Sequence, residues 1–243
     1  MDLKNETALV TGGGSGVGLG IAKALSREGC RVAIAGRNAD KLRAAAEGFG
    51  GQPPILHKAC DVANRADVAA LVQWFEAQLG PVGILVNSAG INVVRRAVAE
   101  LDPADWDRMM ATNTSGPFYT IHAVLPGMHR RGSGLIVNIC SISGKRALKL
   151  GGAGYCASKF AVSALGASVN LEEREKGIRV TTIYPGEVNT PILEQRPVPV
   201  PPERKAEMLQ PEDIGALVVA IAKLPDRVMV PELVVTPRYQ EWA

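Results

Sequence analysis

Short apolar segments alternate along the chain with longer segments whose apolar residues recur at helical spacing. The apolar segments predict seven strands, at residues 7–10, 31–35, 54–60, 82–87, 134–139, 178–184 and 227–235. The helical patterns predict five helices, at residues 17–28, 40–47, 65–79, 105–131 and 154–176. Pro117 and Pro126 fall inside the fourth of these patterns, where we expect them to bend or interrupt the helix.

The predicted strands are almost continuously apolar instead of alternating between apolar and polar residues. This pattern is typical of parallel sheets that helices cover on both faces. Because strands and helices alternate, we predict a doubly wound α/β fold with a mostly parallel seven-stranded sheet between helices. No linker or shift in composition divides the chain, so we expect residues 1–243 to form a single domain.

One segment, residues 190–210, departs from this alternation. It contains five prolines and little apolar periodicity. It follows the carboxyl end of a predicted strand, where ligands bind in folds of this type, and this position predicts a lid over the substrate. The alternative is a connection that is merely stiffened by proline.

Composition and charge exclude several classes of protein. The 27 basic and 24 acidic side chains give a net charge of +3, which is too balanced to favour nucleic acid or an anionic membrane as a partner. No apolar run reaches the ~18–20 residues of a membrane span, and residues 1–6 lack the apolar core of a signal peptide. The four cysteines show no metal-ligand spacing and no C-x-x-C pair. We therefore expect a cytoplasmic protein with reduced thiols and no metal site.

A glycine-rich loop follows the first predicted strand and opens the first predicted helix. Glycine lets backbone N–H groups approach a phosphate closely, and the N-terminus of a helix favours negative charge. The loop, T-G-G-G-S-G-V-G at residues 11–18, therefore predicts a pyrophosphate site in a Rossmann-like domain. The loop residues predicted to contact the cofactor are Gly12, Gly14, Ser15, Gly16, Val17 and Gly18.

The end of the second predicted strand bears on the choice of nicotinamide cofactor. A carboxylate at this point would bind the ribose 2′-hydroxyl of NAD. Here the chain has Gly36 and Arg37, and the first nearby acid is Asp40. An arginine without a carboxylate favours a 2′-phosphate, and hence NADP(H) over NAD(H). The alternative is that Arg37 is a solvated residue at the start of a helix.

Tyr155 and Lys159 are four residues apart and so share one face of a predicted helix. A free phenol is too weakly acidic for proton transfer at neutral pH. A neighbouring ammonium group stabilises the phenolate and makes such transfer possible. Together with the glycine loop, the pair predicts hydride transfer to or from a nicotinamide, with Tyr155 handling the proton.

These motifs resemble those of the short-chain dehydrogenase/reductase family with a Y-x-x-x-K active site. The resemblance extends from residue 7 to about residue 191 and includes N-S-A-G at residues 87–90, where the family more often has N-N-A-G. It implies a carbonyl–alcohol oxidoreductase. It also implies further cofactor contacts at Asp61, Val62, Asn87, Ala89, Gly90, Tyr155, Lys159, Pro185, Gly186, Val188 and Thr190.

The resemblance also implies a role for each catalytic residue. Tyr155 is the general acid and base, and Ser141 donates a hydrogen bond to the substrate oxygen. Lys159 binds the ribose hydroxyls of the nicotinamide half, and Asn113 holds a water that links Lys159 to solvent. Ser143 is a rival for the catalytic serine, because Ser141 lies one residue further from Tyr155 than the family pattern suggests.

Two groups of cations flank the predicted site. Arg95 and Arg96 follow the fourth predicted strand, and Lys145, Arg146 and Lys149 lie between the fifth strand and Tyr155. Such cations favour an anionic small-molecule substrate, for example a 3-oxo acid. The alternative is solvated charge on exposed loops.

Other functions remain open at this point. A non-catalytic NADP-binding sensor or scaffold would be expected to lack the Ser–Tyr–Lys set, which is intact here. An epimerase or dehydratase of the longer related type would need a larger C-terminal substrate domain.

The helical patterns at residues 105–131 and 154–176 are rich in Ala, Val and Leu, and they favour a homodimer or homotetramer.

Overall fold

The computed structural model describes residues 1–241, so that Trp242 and Ala243, the end of the predicted domain, lie outside the described residues. Seven strands form one sheet in the order β3-β2-β1-β4-β5-β6-β7, and every neighbouring pair is parallel. The strands are β1 (Thr7–Thr11), β2 (Arg31–Gly36), β3 (Leu56–Ala59), β4 (Ile84–Asn87), β5 (Gly134–Ile139), β6 (Ile178–Pro185) and β7 (Glu232–Val235). The predicted α/β class and seven-stranded sheet are confirmed, and the sheet is parallel throughout.

Eight α-helices flank the sheet within residues 1–241. They are α1 (Gly16–Arg27), α2 (Ala39–Glu47), α3 (Arg65–Leu79), α4 (Pro103–Met110), α5 (Gly116–Arg131), α6 (Ala153–Glu173), α7 (Pro202–Glu207) and α8 (Pro211–Lys223). Short 3₁₀ turns occur at Leu3–Asn5, Ile142–Gly144, Arg174–Lys176 and Pro191–Gln195. None of the described helices has the length and apolar character needed to cross a lipid bilayer.

Helices cover both faces of the sheet, which explains why the strands are almost continuously apolar. Successive side chains of a strand point to opposite faces. Val10 therefore packs in the cluster formed with α1 and α8, whereas Leu9 packs in the cluster formed with α3 and α5. Both side chains are fully buried. Burial on two faces leaves no position in the central strands where a polar side chain reaches water.

The predicted helix at residues 105–131 is divided into two helices in the structure. A π-helical turn, Ala111–Ser115, separates α4 from α5. Pro117 lies in the first turn of α5 and has no N–H to donate to the carbonyl of Asn113 four residues earlier. This missing bond explains why the interruption precedes Pro117, whereas Pro126 lies within α5 without ending it.

Helix α8 is absent from the predicted elements. Its start carries recognisable signals, because Pro211 occupies the first turn and the Gln210 and Asp213 side chains form a capping box. The following residues are almost continuously apolar, and this obscures the amphipathic spacing that marks a surface helix. Ile214 and Val218 are fully buried against the core.

Two glycines allow α1 and α8 to approach closely. A Cβ atom at Gly20 would lie 2.5 Å from the backbone oxygen of Pro211, and one at Gly215 would lie 2.9 Å from the oxygen of Gly20. The obstructing atoms belong to the backbone, so a larger residue forces the helices apart. This contact fixes α1, and with it the glycine loop, against the sheet.

We expect Gly20→Ala to lower the free energy of unfolding by about 1–3 kcal/mol, because it overpacks the α1–α8 contact. Urea denaturation measures the change. Gly36→Ala is the matched control, since a Cβ there would meet only the Leu42 Cδ2 atom, at an ordinary 3.6 Å. Equal stability of Gly20→Ala and the unmodified protein would contradict the packing account.

Candidate active site

One cavity of about 330 Å³ lies at the carboxyl ends of the central strands. The sheet order places β1 beside β4, so that the chain runs outward in opposite directions from this point. Open α/β sheets bind ligands in the crevice at such a switch point. The cavity is large enough for a small-molecule ligand, since ligand pockets span roughly 300–1,000 Å³.

The glycine loop forms one end of the cavity. Gly12 has a φ of +67°, which favours glycine, and a Cβ there would lie 2.7 Å from the backbone nitrogen of Ala89. The Thr11 hydroxyl oxygen accepts hydrogen bonds from the backbone N–H groups of Ser88 and Ala89, at 3.2 and 3.3 Å. The loop is thus held against the segment after β4 and leads into the N-terminus of α1. Such a cradle fits the pyrophosphate of a dinucleotide.

The structure brings most of the predicted site residues to this cavity. The predicted residues that line it are Gly12, Ser15, Gly16, Val17, Gly18, Ala89, Gly90, Ser141, Tyr155, Lys159, Pro185, Gly186, Val188 and Thr190. The predicted residues that lie outside its lining are Gly14, Arg37, Asp61, Val62, Asn87 and Asn113.

Several residues outside the lining have structural contacts. Asn87 is buried, and its amide donates to Asn138 Oδ1 at 3.0 Å while its oxygen accepts from the Thr120 hydroxyl at 2.6 Å. Asp61 accepts a hydrogen bond from the backbone N–H of Ala63 at 3.0 Å. Arg37 is exposed beyond the end of β2. Asn87 therefore supports the floor beneath the cavity, and Arg37 lies at the surface.

Tyr155 and Lys159 lie at the start of α6, where the chain approaches the carboxyl end of β5. Lys159 is buried, and its ammonium group donates to the carbonyl oxygen of Ile139 at 3.0 Å. The same nitrogen lies 5.6 Å from the centroid of the Tyr155 ring. Tyr155 is half-buried and lines the cavity. The cation and the phenol are therefore close enough to interact electrostatically.

Asn113 lies in the π-helical turn between α4 and α5, behind the cavity. Its amide nitrogen donates to the carbonyl oxygen of Ile91 at 2.9 Å and to the Ser158 hydroxyl at 3.0 Å. Its oxygen accepts from the N–H of Ile91 at 2.8 Å. These bonds tie the loop after β4 to α6 at the residue next to Lys159. Single π turns occur frequently at functional sites.

Both candidate serines line the cavity. Ser141 follows β5 directly and is half-buried, whereas Ser143 is buried. The Ser141 hydroxyl oxygen accepts a hydrogen bond from the N–H of Ser143 at 3.1 Å, which leaves the Ser141 hydroxyl proton available for another acceptor.

The predicted cations are distributed differently from the expectation. Within residues 1–241, Arg96 is the one member of the predicted set that lines the cavity. Lys145 instead pairs with Glu232 and packs over the Tyr184 ring. Arg95, Arg146 and Lys149 are exposed outside the lining. The flanking loops thus bring one predicted cation to the site instead of five.

A cluster from the C-terminal part of the chain closes the other end of the cavity, and the sequence pattern did not reveal it. Glu187 accepts a hydrogen bond from the Tyr239 hydroxyl at 2.6 Å and pairs with Arg196 at 2.8 Å and Arg204 at 3.4 Å. Burial by itself would raise the pKa of Glu187, but the Tyr239 and Arg196 hydrogen bonds and the arginine charges hold it below its usual value. The Gln240 side chain accepts from the N–H of Glu187 at 2.9 Å.

The four cysteines are free and buried. Cys140, next to Ser141, donates to the carbonyl oxygen of Lys159 at 3.2 Å, and burial raises the pKa of its thiol. No group of three or more potential metal ligands occurs within residues 1–241.

Comparison with known proteins agrees with this arrangement. The sequence matches the short chain dehydrogenase family over residues 6–198. An uncharacterized oxidoreductase of Staphylococcus saprophyticus is 35% identical over 239 residues, which cover 98% of this chain and 99% of the relative.

Solved structures of oxidoreductases are also similar. An alcohol dehydrogenase from the archaeon Thermococcus sibiricus, complexed with 5-hydroxy-NADP, superposes with a TM-score of 0.88 at 28% identity, covering 98% of this chain and 99% of that one. The closed form of a serine dehydrogenase complexed with NADP⁺ gives a TM-score of 0.87 at 30% identity, covering 98% and 97%.

The chain therefore belongs to the short chain dehydrogenase family. It is an NAD(P)-dependent oxidoreductase that acts on a small molecule.

Proposed function

We propose that this enzyme interconverts a small carbonyl compound and its secondary alcohol with NADP(H), and that Tyr155 is the general acid and base. The observation that carries the proposal is the meeting of the Tyr155–Lys159 pair and the glycine loop in one cavity. The relatives are named as oxidoreductases, which favours an enzyme over a non-catalytic sensor or scaffold.

The residues of the chain divide between holding the cofactor and handling the proton. NADP(H), when bound, supplies or accepts the hydride at the substrate carbon. The loop at residues 12–18 holds the pyrophosphate, and the segments around Ala89–Gly90 and Pro185–Thr190 enclose the nicotinamide half. Asp61 and Val62 contact the adenine of the cofactor. Lys159 binds the nicotinamide ribose through its ammonium group.

Tyr155 gives a proton to the substrate oxygen as negative charge develops there, and it recovers that proton in the reverse direction. Ser141 donates a hydrogen bond that positions the oxygen. The buried ammonium of Lys159 stabilises the phenolate that Tyr155 becomes after the transfer. Asn113 holds a water that connects Lys159 to solvent, so that the proton is replaced between turnovers.

We expect Tyr155→Phe to lower kcat by about 10³-fold, because the ring remains while the proton donor is lost. The rate of NADPH absorbance loss with an accepted ketone measures this effect. Tyr119→Phe is the matched control, since Tyr119 lies on α5 outside the cavity lining. Near-normal turnover by Tyr155→Phe would remove the residue from the mechanism.

The preference for NADP(H) over NAD(H) is part of the proposal. Arg37 stands exposed beyond β2, free of any hydrogen bond or ion pair within residues 1–241, and Asp40 is engaged with Arg43 at 2.7 Å. A guanidinium group suits a 2′-phosphate, which it can bind through two parallel hydrogen bonds. The solved relatives complexed with NADP⁺ and 5-hydroxy-NADP lend support.

We expect Arg37→Gln to raise KM for NADPH by about 10- to 100-fold and to change KM for NADH little, because only the former carries the 2′-phosphate. Steady-state kinetics with both cofactors measure the two constants. Arg43→Gln controls for loss of an exposed arginine on the adjoining helix. Equal effects of Arg37→Gln on the two cofactors would contradict the assignment.

We further propose that residues 190–210 form a lid over the substrate within one domain spanning residues 1–243. Thr190 to Leu193 and Arg196 line the cavity, and the segment then forms α7 before Leu209 returns to pair with Val188. Its ends are joined, because the N–H of Asn189 donates to Leu209 at 2.8 Å and the N–H of Leu209 donates to Glu187 at 3.1 Å. Such a closed loop can move as a unit.

We propose a cytoplasmic location, which the four free and buried thiols support. A reducing compartment keeps such thiols from forming disulfides.

We also propose a homodimer or homotetramer in which α5 and α6 contact a second copy of the chain. Phe118 on α5 and Phe160 and Leu171 on α6 expose 48%, 44% and 64% of their surfaces. Exposed large apolar residues on neighbouring long helices suit a self-complementary interface.

We expect light scattering at micromolar concentration to give a mass of two or four chains. Leu171→Glu places a charge on the proposed interface and should shift the mass toward that of one chain, whereas Val198→Glu, an exposed change on the lid, should not. A monomeric unmodified protein would refute the proposed assembly.

A further inference from the structure

Arg96 is a buried arginine in the wall of the cavity, with only 8% of its surface exposed. Its Nη1 atom donates to the carbonyl oxygen of Leu150 at 2.8 Å, and its Nη2 atom donates to that of Gln195. The guanidinium group therefore joins three loops, which follow β4, β5 and β6. Held at two points, it is fixed in orientation before any ligand arrives.

The charge of Arg96 has no counter-ion within residues 1–241. It takes part in no ion pair with a carboxylate, and its Nε–H group is buried without an acceptor. A guanidinium group has five N–H donors, and two carbonyl oxygens leave most of this capacity unused. A buried positive charge without an anion is energetically costly. Burial lowers the pKa of Arg96, and the positive charge of Arg196 lowers it further.

Within residues 1–241, Glu187 is the one carboxylate in the cavity lining, and it does not neutralise this region. Glu187 is shared by Arg196 and Arg204, and it also accepts a hydrogen bond from the Tyr239 hydroxyl. Arg204 also pairs with Glu207 at 3.5 Å, so that these two arginines and two carboxylates balance and Arg96 remains uncompensated. Among the described residues that line the cavity, Arg96, Lys159 and Arg196 outnumber the carboxylate of Glu187, and a bound anion would offset this net positive charge.

Arg96 lies near Tyr155, the proposed proton donor. Gly152, which precedes α6, has a φ of +77°, and a Cβ there would lie 2.6 Å from the Arg96 Cβ atom. Tyr155 follows Gly152 by three residues, which is about one helical turn, or roughly 5 Å along the axis. The stem of Arg96 thus lies against the residue that precedes α6, one turn before the proton donor, and Tyr155 is near enough to act electrostatically on the guanidinium group.

Resting on the proposed carbonyl–alcohol chemistry, we infer that Arg96, with Arg196 beside it, binds a carboxylate of the substrate. The substrate class is the short oxo acid and the corresponding hydroxy acid, in which only a few bonds separate the carboxylate from the reacting carbon. Arg96 is then a specificity-determining residue, and the N–H groups that Leu150 and Gln195 leave unused are the donors for the carboxylate.

The test compares acetoacetate with methyl acetoacetate, which differs by loss of the negative charge. The readout is the ratio of kcat/KM for the acid to kcat/KM for the ester, with NADPH. We expect the unmodified enzyme to favour the acid, and Arg96→Gln to lower the ratio by about 100-fold through loss of the charge-assisted hydrogen bonds. Equal rates on acid and ester, or a ratio that Arg96→Gln leaves unchanged, would overturn the inference.

Additional variants separate substrate binding from a structural role of Arg96. Arg196→Gln leaves the Arg96 contacts to Leu150 and Gln195 in place and should lower the ratio about tenfold. Arg96→Lys keeps the charge without the fork and should give an intermediate ratio. Arg95→Gln removes the adjacent exposed arginine and should not change the ratio. A lid-tethering role alone would lower both rates together and leave the ratio unchanged.

A binding measurement distinguishes this inference from the proposed reaction. Acetoacetate with the NADP⁺-loaded protein cannot turn over, so its binding appears as a rise in Tm. We expect this rise in the unmodified protein but not in Arg96→Gln, and no rise with methyl acetoacetate. If no carbonyl compound is turned over but the acetoacetate shift depends on Arg96, the proposed reaction fails and the anion site stands. If a ketone is turned over but acetoacetate causes no rise in Tm, the proposed reaction stands and the anion site fails.

Discussion

The ammonium group of Lys159 is buried where α6 meets the end of β5, and the candidate site is arranged around it. A buried cation needs compensating partners. The Ile139 carbonyl oxygen supplies one at 3.0 Å, and the Tyr155 ring lies 5.6 Å away. This arrangement requires α6 to run close to the sheet. Gly144 permits that approach, since a Cβ there would lie 2.8 Å from the carbonyl oxygen of Lys159.

The same constraint explains the structure around the cavity. Asn113 uses both amide N–H groups and one lone pair of its amide oxygen to fix the loop after β4 to α6 through Ile91 and Ser158. The Thr11 hydroxyl fixes the glycine loop to the other side of the same segment. The glycine loop and α6 are thus both held by one stretch of chain after β4. The C-terminal cluster around Glu187 closes the other end of the cavity, and its contacts are ion pairs and hydrogen bonds instead of apolar packing.

Much of the fold could be predicted from the sequence, because central strands buried on both faces leave a clear apolar pattern. The division of the 105–131 helix could be predicted less well. The position of the π turn depends on the backbone hydrogen bond that Pro117 cannot donate to the carbonyl of Asn113. Helix α8 escaped prediction because its burial removes the polar face that marks a helix. The Tyr155–Lys159 pair could be predicted because a spacing of four brings side chains together locally.

Other parts of the site depend on contacts between residues distant in the sequence. Tyr239 meets Glu187 across 52 residues, and Arg96 meets Gln195 across 99 residues. No local spacing encodes such contacts. The sequence alone gives no reason to choose among the five predicted cations. Their burial in the fold does, since Arg96 is buried whereas the adjacent Arg95 is exposed.

The central claim is that the buried Lys159 ammonium, the Tyr155 phenol and the glycine loop serve one bound dinucleotide. A crystal structure of the protein grown with saturating NADP⁺ tests this most directly. The account predicts the pyrophosphate at residues 12–18, the nicotinamide ribose hydroxyls within hydrogen-bonding distance of Lys159 Nζ, and the nicotinamide ring beside Tyr155. A cofactor bound outside this cavity, or a nicotinamide directed away from Tyr155, would contradict it.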